Sequence, residues 1–127
     1  MKKFLILTSL SILLISCGIR IGQVVTENRL NIQKIQLGMT IEEVNHIMGT
    51  ETFSHYDYTN PDHKEQFYTR DKDIVEIYYY WTKRNASEKL SENEKFTPIL
   101  FVNGIVEGIG WRSFEDAVKK YQLNITY

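Results

Sequence analysis

One residue combines a type and a setting that point to a defined covalent chemistry: Cys17, the only cysteine in the chain. It closes a stretch that opens with two positive charges, Lys2 and Lys3. That stretch continues through twelve residues, Phe4 to Ile15, interrupted only by Thr8, Ser9 and Ser11. A charged start and a short apolar run form an export signal, and twelve residues are too few to span a bilayer. The run ends Leu14-Ile15-Ser16-Cys17-Gly18. An aliphatic residue three positions before the cut, small Ser16 just before it and cysteine just after it form the pattern read by lipoprotein signal peptidase. The expected chemistry is thioether formation between the Cys17 thiol and diacylglycerol, cleavage between Ser16 and Cys17, and acylation of the new amine by a fatty acid such as palmitate. Two or three acyl chains make a stable anchor, where one gives marginal binding. Lipidation also accounts for a lone thiol in an oxidising compartment, where an unpaired cysteine is otherwise a liability.

Other chemistry-bearing residues form weaker constellations. His55 and Asp57 stand two apart on a stretch of strand-like alternation, a spacing that sets two metal ligands side by side. Asp62 and His63 follow in turn-rich sequence, and His46 stands apart on a helix. No further ligand falls at a fixed short spacing, so these read as solvated surface residues and no metal or other cofactor is expected. Asp71 and Asp73 flank a lysine in a turn, where carboxylates serve solubility. The chain has no Gly-x-Ser-x-Gly nucleophile elbow. Its glycines at 104, 108 and 110 lie in a hairpin and not ahead of a phosphate-binding helix. The sequence therefore reads as non-enzymatic. The signal takes two of the 15 basic residues and none of the 16 acidic ones, leaving 111 residues with a mild acidic excess. That balance argues against nucleic acid as a partner.

These residues must be positioned by local elements, and the clearest begins at Thr40. Thr40 is placed as an N-cap, with Glu43 three residues later completing a capping box. Met39 and Val44 are placed to staple across the cap. Ile41, Val44, Ile47 and Met48 fall on one helical face, and Gly49 stands where a left-handed C-cap is wanted. Residues 17–30, with isolated aliphatics among glycine and polar residues, read as a lipidated N-terminus and tether, leaving 31–127 as a small domain. Thr52 to Thr59 alternates as one strand, Gln66 to Arg70 as a weak second, and Ile74 to Trp81 as the strongest. The polar stretch Thr82 to Lys95 reads as a mobile loop. Phe96 to Val102 and Ile105 to Trp111 flank Asn103-Gly104, a type I′ hairpin signal. Gly108 and Gly110 leave one face of that last strand bare, inviting close packing or a bend. Ser113 to Asp116 starts a short C-terminal helix. The order predicts an α+β fold: short helices packed on an antiparallel sheet of three to five strands.

Tyrosines concentrate in the strands. Val75, Ile77, Tyr79 and Trp81 form the apolar face of the strongest strand, which leaves Tyr78 and Tyr80, with Tyr56 and Tyr58, as an expected partner-binding surface. Tyrosine is enriched at such surfaces because it is large and amphipathic and loses little entropy on binding.

The run Ile35-Gln36-Leu37-Gly38-Met39-Thr40-Ile41-Glu42-Glu43-Val44, ending Ile47-Met48-Gly49, resembles the signature of the SmpA/OmlA lipoproteins and the wider β-lactamase-inhibitor-protein-like group. The proline that often follows in those families is replaced by Thr50 and Glu51. The resemblance implies a helical segment on a three- or four-stranded sheet. It also implies an accessory role in the envelope, as in assembly of outer-membrane proteins or envelope maintenance. The expectation is a membrane-anchored, non-catalytic protein that binds an envelope partner, with a periplasmic inhibitor or small-ligand binder as the alternative. Gly18 is not the aspartate that retains many lipoproteins at the inner membrane, so an outer-membrane anchor facing the periplasm is expected. In a Gram-positive host this becomes the outer face of the plasma membrane.

Overall fold

A strand with large apolar side chains on both sides needs a cover on both sides, and Ile74–Trp81 (IVEIYYYW) is such a strand. The computed structural model describes residues 21–50, 52–53, 58–83, 91 and 93–125. Along the chain it has helices α1 (Ile21–Ile32) and α2 (Ile41–Met48) and short strands β1 (Thr52–Phe53) and β2 (Tyr58–Thr59). Strands β3 (His63–Tyr68), β4 (Ile74–Trp81), β5 (Phe96–Val102) and β6 (Ile105–Ile109) follow, and helix α3 (Trp111–Tyr121) closes the order. Strands β3 to β6 form an antiparallel meander in sequence order, an α+β architecture with helices on both faces of the sheet.

The two faces follow from the strand period. Tyr78 and Tyr80 of β4, Ile99 and Phe101 of β5 and Val106 of β6 point to one side, where Ile35, Val44 and Met48 close over them. Val75, Ile77 and Tyr79 point to the other with Leu100, beneath Phe114 and Ala117 of α3 and Leu123 just beyond it. The capping box forms as expected: Glu43 N donates to Thr40 Oγ1 at 3.2 Å, and Thr40 N donates to Glu43 Oε2 at 2.8 Å. Asn103 and Gly104 take φ of 50° and 81°, the two positive angles of a type I′ turn.

Several readings change, among them Gly49, whose φ of 77° and ψ of 159° are not those of a left-handed helical cap. The stretch 17–30 is not a tether beyond residue 20, because Ile21–Ile32 is a helix whose Val24 and Val25 are buried. Its third inward residue is Asn28, 2 % exposed, so the apolar period is broken by an amide. Gly22, Thr26, Asn28 and Asn31 are also weak helix formers, and tertiary contacts override them. Thr52 to Thr59 is not one strand: β1 and β2 pair antiparallel with each other, Thr52 opposite Thr59 and Phe53 opposite Tyr58. The C-terminal helix starts at Trp111 behind Gly110 (φ 88°), with no side-chain cap, so the Ser113 capping signal is not used.

The gap left by Gly108 is filled. A Cβ there would lie 2.6 Å from the Ser113 Cβ, so α3 packs directly on the β6 backbone. A register shift in the β5–β6 pairing between Leu100 and Phe101 adds a local bend.

Candidate functional site

The tyrosine surface expected from sequence does not exist as a surface at Tyr78 and Tyr80. Tyr78 is 5 % exposed and Tyr80 is fully buried, because helices α1 and α2 cover the face that one short helix could not. Burial pushes the Tyr78 phenol above its ordinary pKa, and the neighbouring Glu76 and Glu42 carboxylates push it the same way. The Lys64 ammonium lies 4.5 Å from the centre of its ring. Tyr58 falls in β2 opposite Phe53. Tyr56, His55, Asp57, Ser16 and Cys17 lie outside the described residues.

What the fold does gather is an aromatic corner at the end of the sheet where β3 begins and β4 ends. His63 and Tyr79 are register partners, with their rings stacked at 4.1 Å and 11°. Trp81 and Phe96 are register partners on the same face, and Phe96 meets the His63 ring edge-on at 5.4 Å. Trp111, the first residue of α3, approaches Tyr79 at 6.0 Å and Phe114 at 5.1 Å. Backbone carbonyls accept both indole N–H groups, Trp81 to Lys83 O at 2.7 Å and Trp111 to Phe96 O at 2.8 Å. Tyr79 Oη donates to Glu65 Oε2 at 2.7 Å, and His63 Nδ1 lies 2.8 Å from Asp62 Oδ2. Tyr79 is buried, whereas Trp81, Phe96 and Trp111 are half-buried and His63 is exposed. Tyr79 and Trp81 stand on the apolar face expected of β4, whereas His63 and Trp111, expected in a turn and in a strand, begin β3 and α3. The alternation of β3 from His63 onward was the signal that would have joined them.

A second cluster ties this end of the sheet to α1. The Asn28 and Asn60 side chains exchange two amide hydrogen bonds, both 3.1 Å. Asn60 Nδ2 also donates to Met48 O at 2.7 Å, and Asn28 Nδ2 to Trp81 O at 3.0 Å. Two buried amides thus join α1, the end of α2, the turn before β3 and the end of β4. An asparagine in a weak helix and one in a turn carried no sequence signal of this contact.

Concavities also lie elsewhere among the described residues. One of about 190 Å³ lies between β6 and α3, lined by Glu107, Ser113, Asp116 and Lys120 among others. There Glu107 accepts from Lys120 Nζ at 2.8 Å and from Tyr121 Oη at 2.6 Å. Another of about 180 Å³ lies between α1 and α2 beside Asn28, His46 and Asn60. Both fall below the roughly 300 Å³ at which enclosed small-molecule sites begin. A shallow depression of about 380 Å³ lies on α2 alone, along Met39, Glu42, Glu43, His46 and Ile47. Among the described residues no three His, Cys, Asp or Glu side chains converge as metal ligands. Nor is any helix among them long and apolar enough to cross a membrane.

Residues 22–116, about three quarters of the chain, match a protein family described as a protein of unknown function (DUF3192). The match begins at α1 and runs to the middle of α3, so the chain belongs to this family over most of its folded region. No curated protein and no solved structure matches the chain.

Proposed function

We propose that this member of the DUF3192 family is a lipid-anchored, non-catalytic protein of the bacterial envelope that holds a small binding domain close against the membrane for a protein partner. The observation that carries this is the spacing between Cys17 and the fold. Only residues 18–20 separate the lipobox cysteine from Ile21, where α1 starts, and Val24 and Val25 of that helix are already in the core. Four extended links reach at most about 14 Å. A domain on so short a lead works at or beside the bilayer, where shared attachment raises the effective concentration of a partner and makes weak contacts sufficient. The SmpA/OmlA resemblance favours an outer-membrane anchor facing the periplasm and an accessory role in assembly or maintenance of the envelope. A partner of protein type is favoured over a small ligand because both interhelical and sheet–helix clefts are too small to enclose one.

Growth with an alkyne analogue of palmitate tests the anchor. The wild-type protein should take up the label and sediment with membranes, and Cys17→Ser, which keeps its apolar export signal uncut, should take up no label. Labelling that survives Cys17→Ser, or a wild-type protein that stays unlabelled, would refute the anchor. Crosslinking of the labelled protein in intact cells, followed by mass spectrometry, then tests for a protein partner.

A further inference from the structure

We infer that the aromatic corner formed by His63, Trp81, Phe96 and Trp111 is the surface on which the domain rests against the lipid bilayer. This inference depends on the lipid anchor at Cys17 proposed above.

Three observations bear on it. The first is where the chain enters the fold. Asn28 of α1 is bonded to the carbonyl of Trp81, at the corner itself. After α1 the chain crosses to the opposite end of the sheet, where Thr40 bridges Ile105 and Gly38 N donates to Val106 O. The chain therefore enters α1 from the corner end and leaves toward the hairpin end. From Asn28 back to Ile21 the helix rises about 10 Å, and the lead to Cys17 adds at most about 14 Å. With the reach of the Asn28 side chain to the Trp81 carbonyl added, the acyl chains start within about 30 Å of it.

The second is composition. The chain has two tryptophans, and both are at this corner. Both residues are half-buried, Trp111 against the rings of Tyr79 and Phe114, and each indole N–H donates to a backbone carbonyl, so the side-chain surface left exposed is apolar ring. Tryptophan with an apolar body and a satisfied N–H suits the membrane interface, where such residues are enriched.

The third is charge. Among the described residues, Lys83, Lys95 and Arg112 flank the corner, and Asp62 and Glu94 offset all but one of these charges. A near-neutral rim fits contact through ring insertion among headgroups and does not require anionic lipid.

Intrinsic fluorescence reads this surface directly, because every tryptophan of the protein lies on it. The full-length lipidated protein is reconstituted into vesicles of phosphatidylcholine, with and without phosphatidylcholine brominated near the top of one acyl chain. Flotation first establishes that the protein is on the vesicles. The expected result is a blue-shifted emission that brominated lipid quenches and that aqueous iodide reaches less than in an unanchored chain starting at residue 18. Protein that floats but is not quenched, and stays open to iodide, overturns the seating while leaving the anchor intact; a protein surface for that corner would then be the better account. Protein that fails to float overturns the anchor reading and the inference with it. Trp81→Phe and Trp111→Phe, each keeping one indole, should both retain quenching, since the two rings share the corner.

Discussion

At the scale of single residues, the amides of Asn28 and Asn60 carry more of the architecture than their type suggests. Removing one leaves the other buried with unmet donors and acceptors, and leaves Met48 O or Trp81 O without its donor. Asn60→Ala should therefore cost about 2 kcal/mol in urea unfolding. In a double-mutant cycle with Asn28→Ala the two losses should fall short of additivity, since both remove the same pair of bonds. Equal and additive losses would show that the exchange is not a unit. Gly108 is the other residue whose role is set by a neighbour. Gly108→Ala sets a methyl 2.6 Å from the Ser113 Cβ, so it should destabilise by about 1–3 kcal/mol. Adding Ser113→Gly, itself costing about 1 kcal/mol in a helix, should recover part of that loss. The bare glycine face was legible from sequence as a place of close approach, but the approaching residue was not. Contacts between residues distant in sequence leave no trace in local spacing.

Titration also belongs at this scale. Burial alone would raise the Glu107 carboxyl, but hydrogen bonds from Lys120 and Tyr121 outweigh it and hold the group below its ordinary value of 4.5. A depressed carboxylate contributes stability that is full above the unfolded value and lost as pH falls through the lower folded one. Tyr121 runs the other way. Burial raises its phenol first and the Glu107 bond adds to it, so its contribution is full below its ordinary value of 10.0 and lost as pH rises through the folded one. Glu107→Gln should therefore flatten the acid limb of stability below about pH 4.5 and weaken the alkaline limb too. An unchanged acid limb in the variant would mean that another carboxylate governs it.

At the scale of elements, legibility followed the strength of local pattern. β4 spans Ile74 to Trp81 as read, the Asn103-Gly104 hairpin forms, and the Thr40 cap closes both of its bonds, because each is decided within a few residues. The face of β4 that carries Tyr78 and Tyr80 was misjudged for one reason: α1 was read as a tether. With α1 missing, the cover of the sheet came up short and those tyrosines were left outside. Its stripe of Val24, Val25, Asn28 and Ile32 becomes recognisable only when Asn28 is counted as an inward residue. The candidate corner was illegible for a similar reason. It draws one residue each from the starts of β3, β5 and α3 and the end of β4, and only the sheet register brings them together.

At the scale of the whole molecule, the unit that folds begins at α1. A chain starting at residue 18 should unfold cooperatively in urea, whereas one starting at residue 31 loses two buried valines and the Asn28 bonds. Each fully buried valine is worth about 1.5 kcal/mol or more, a large share of a total stability of about 5–15 kcal/mol. The shorter chain should therefore show a much lower midpoint or no cooperative transition. A transition matching that of the longer chain would mean that α1 is dispensable after all.

The partners of α1 also impose an order of events. The helix is the first part of the domain to be synthesised, yet what it docks on comes later: the cluster of Asn60 with Met48 O, and the Trp81 carbonyl. An isolated helix of twelve residues is marginal in water. Until some fifty further residues have been made, α1 lacks the contacts that hold it. In the anchored reading, the enzymes that alkylate, cut and acylate at Cys17 can act before α1 has docked. The later docking of α1 then draws the finished domain down to the membrane.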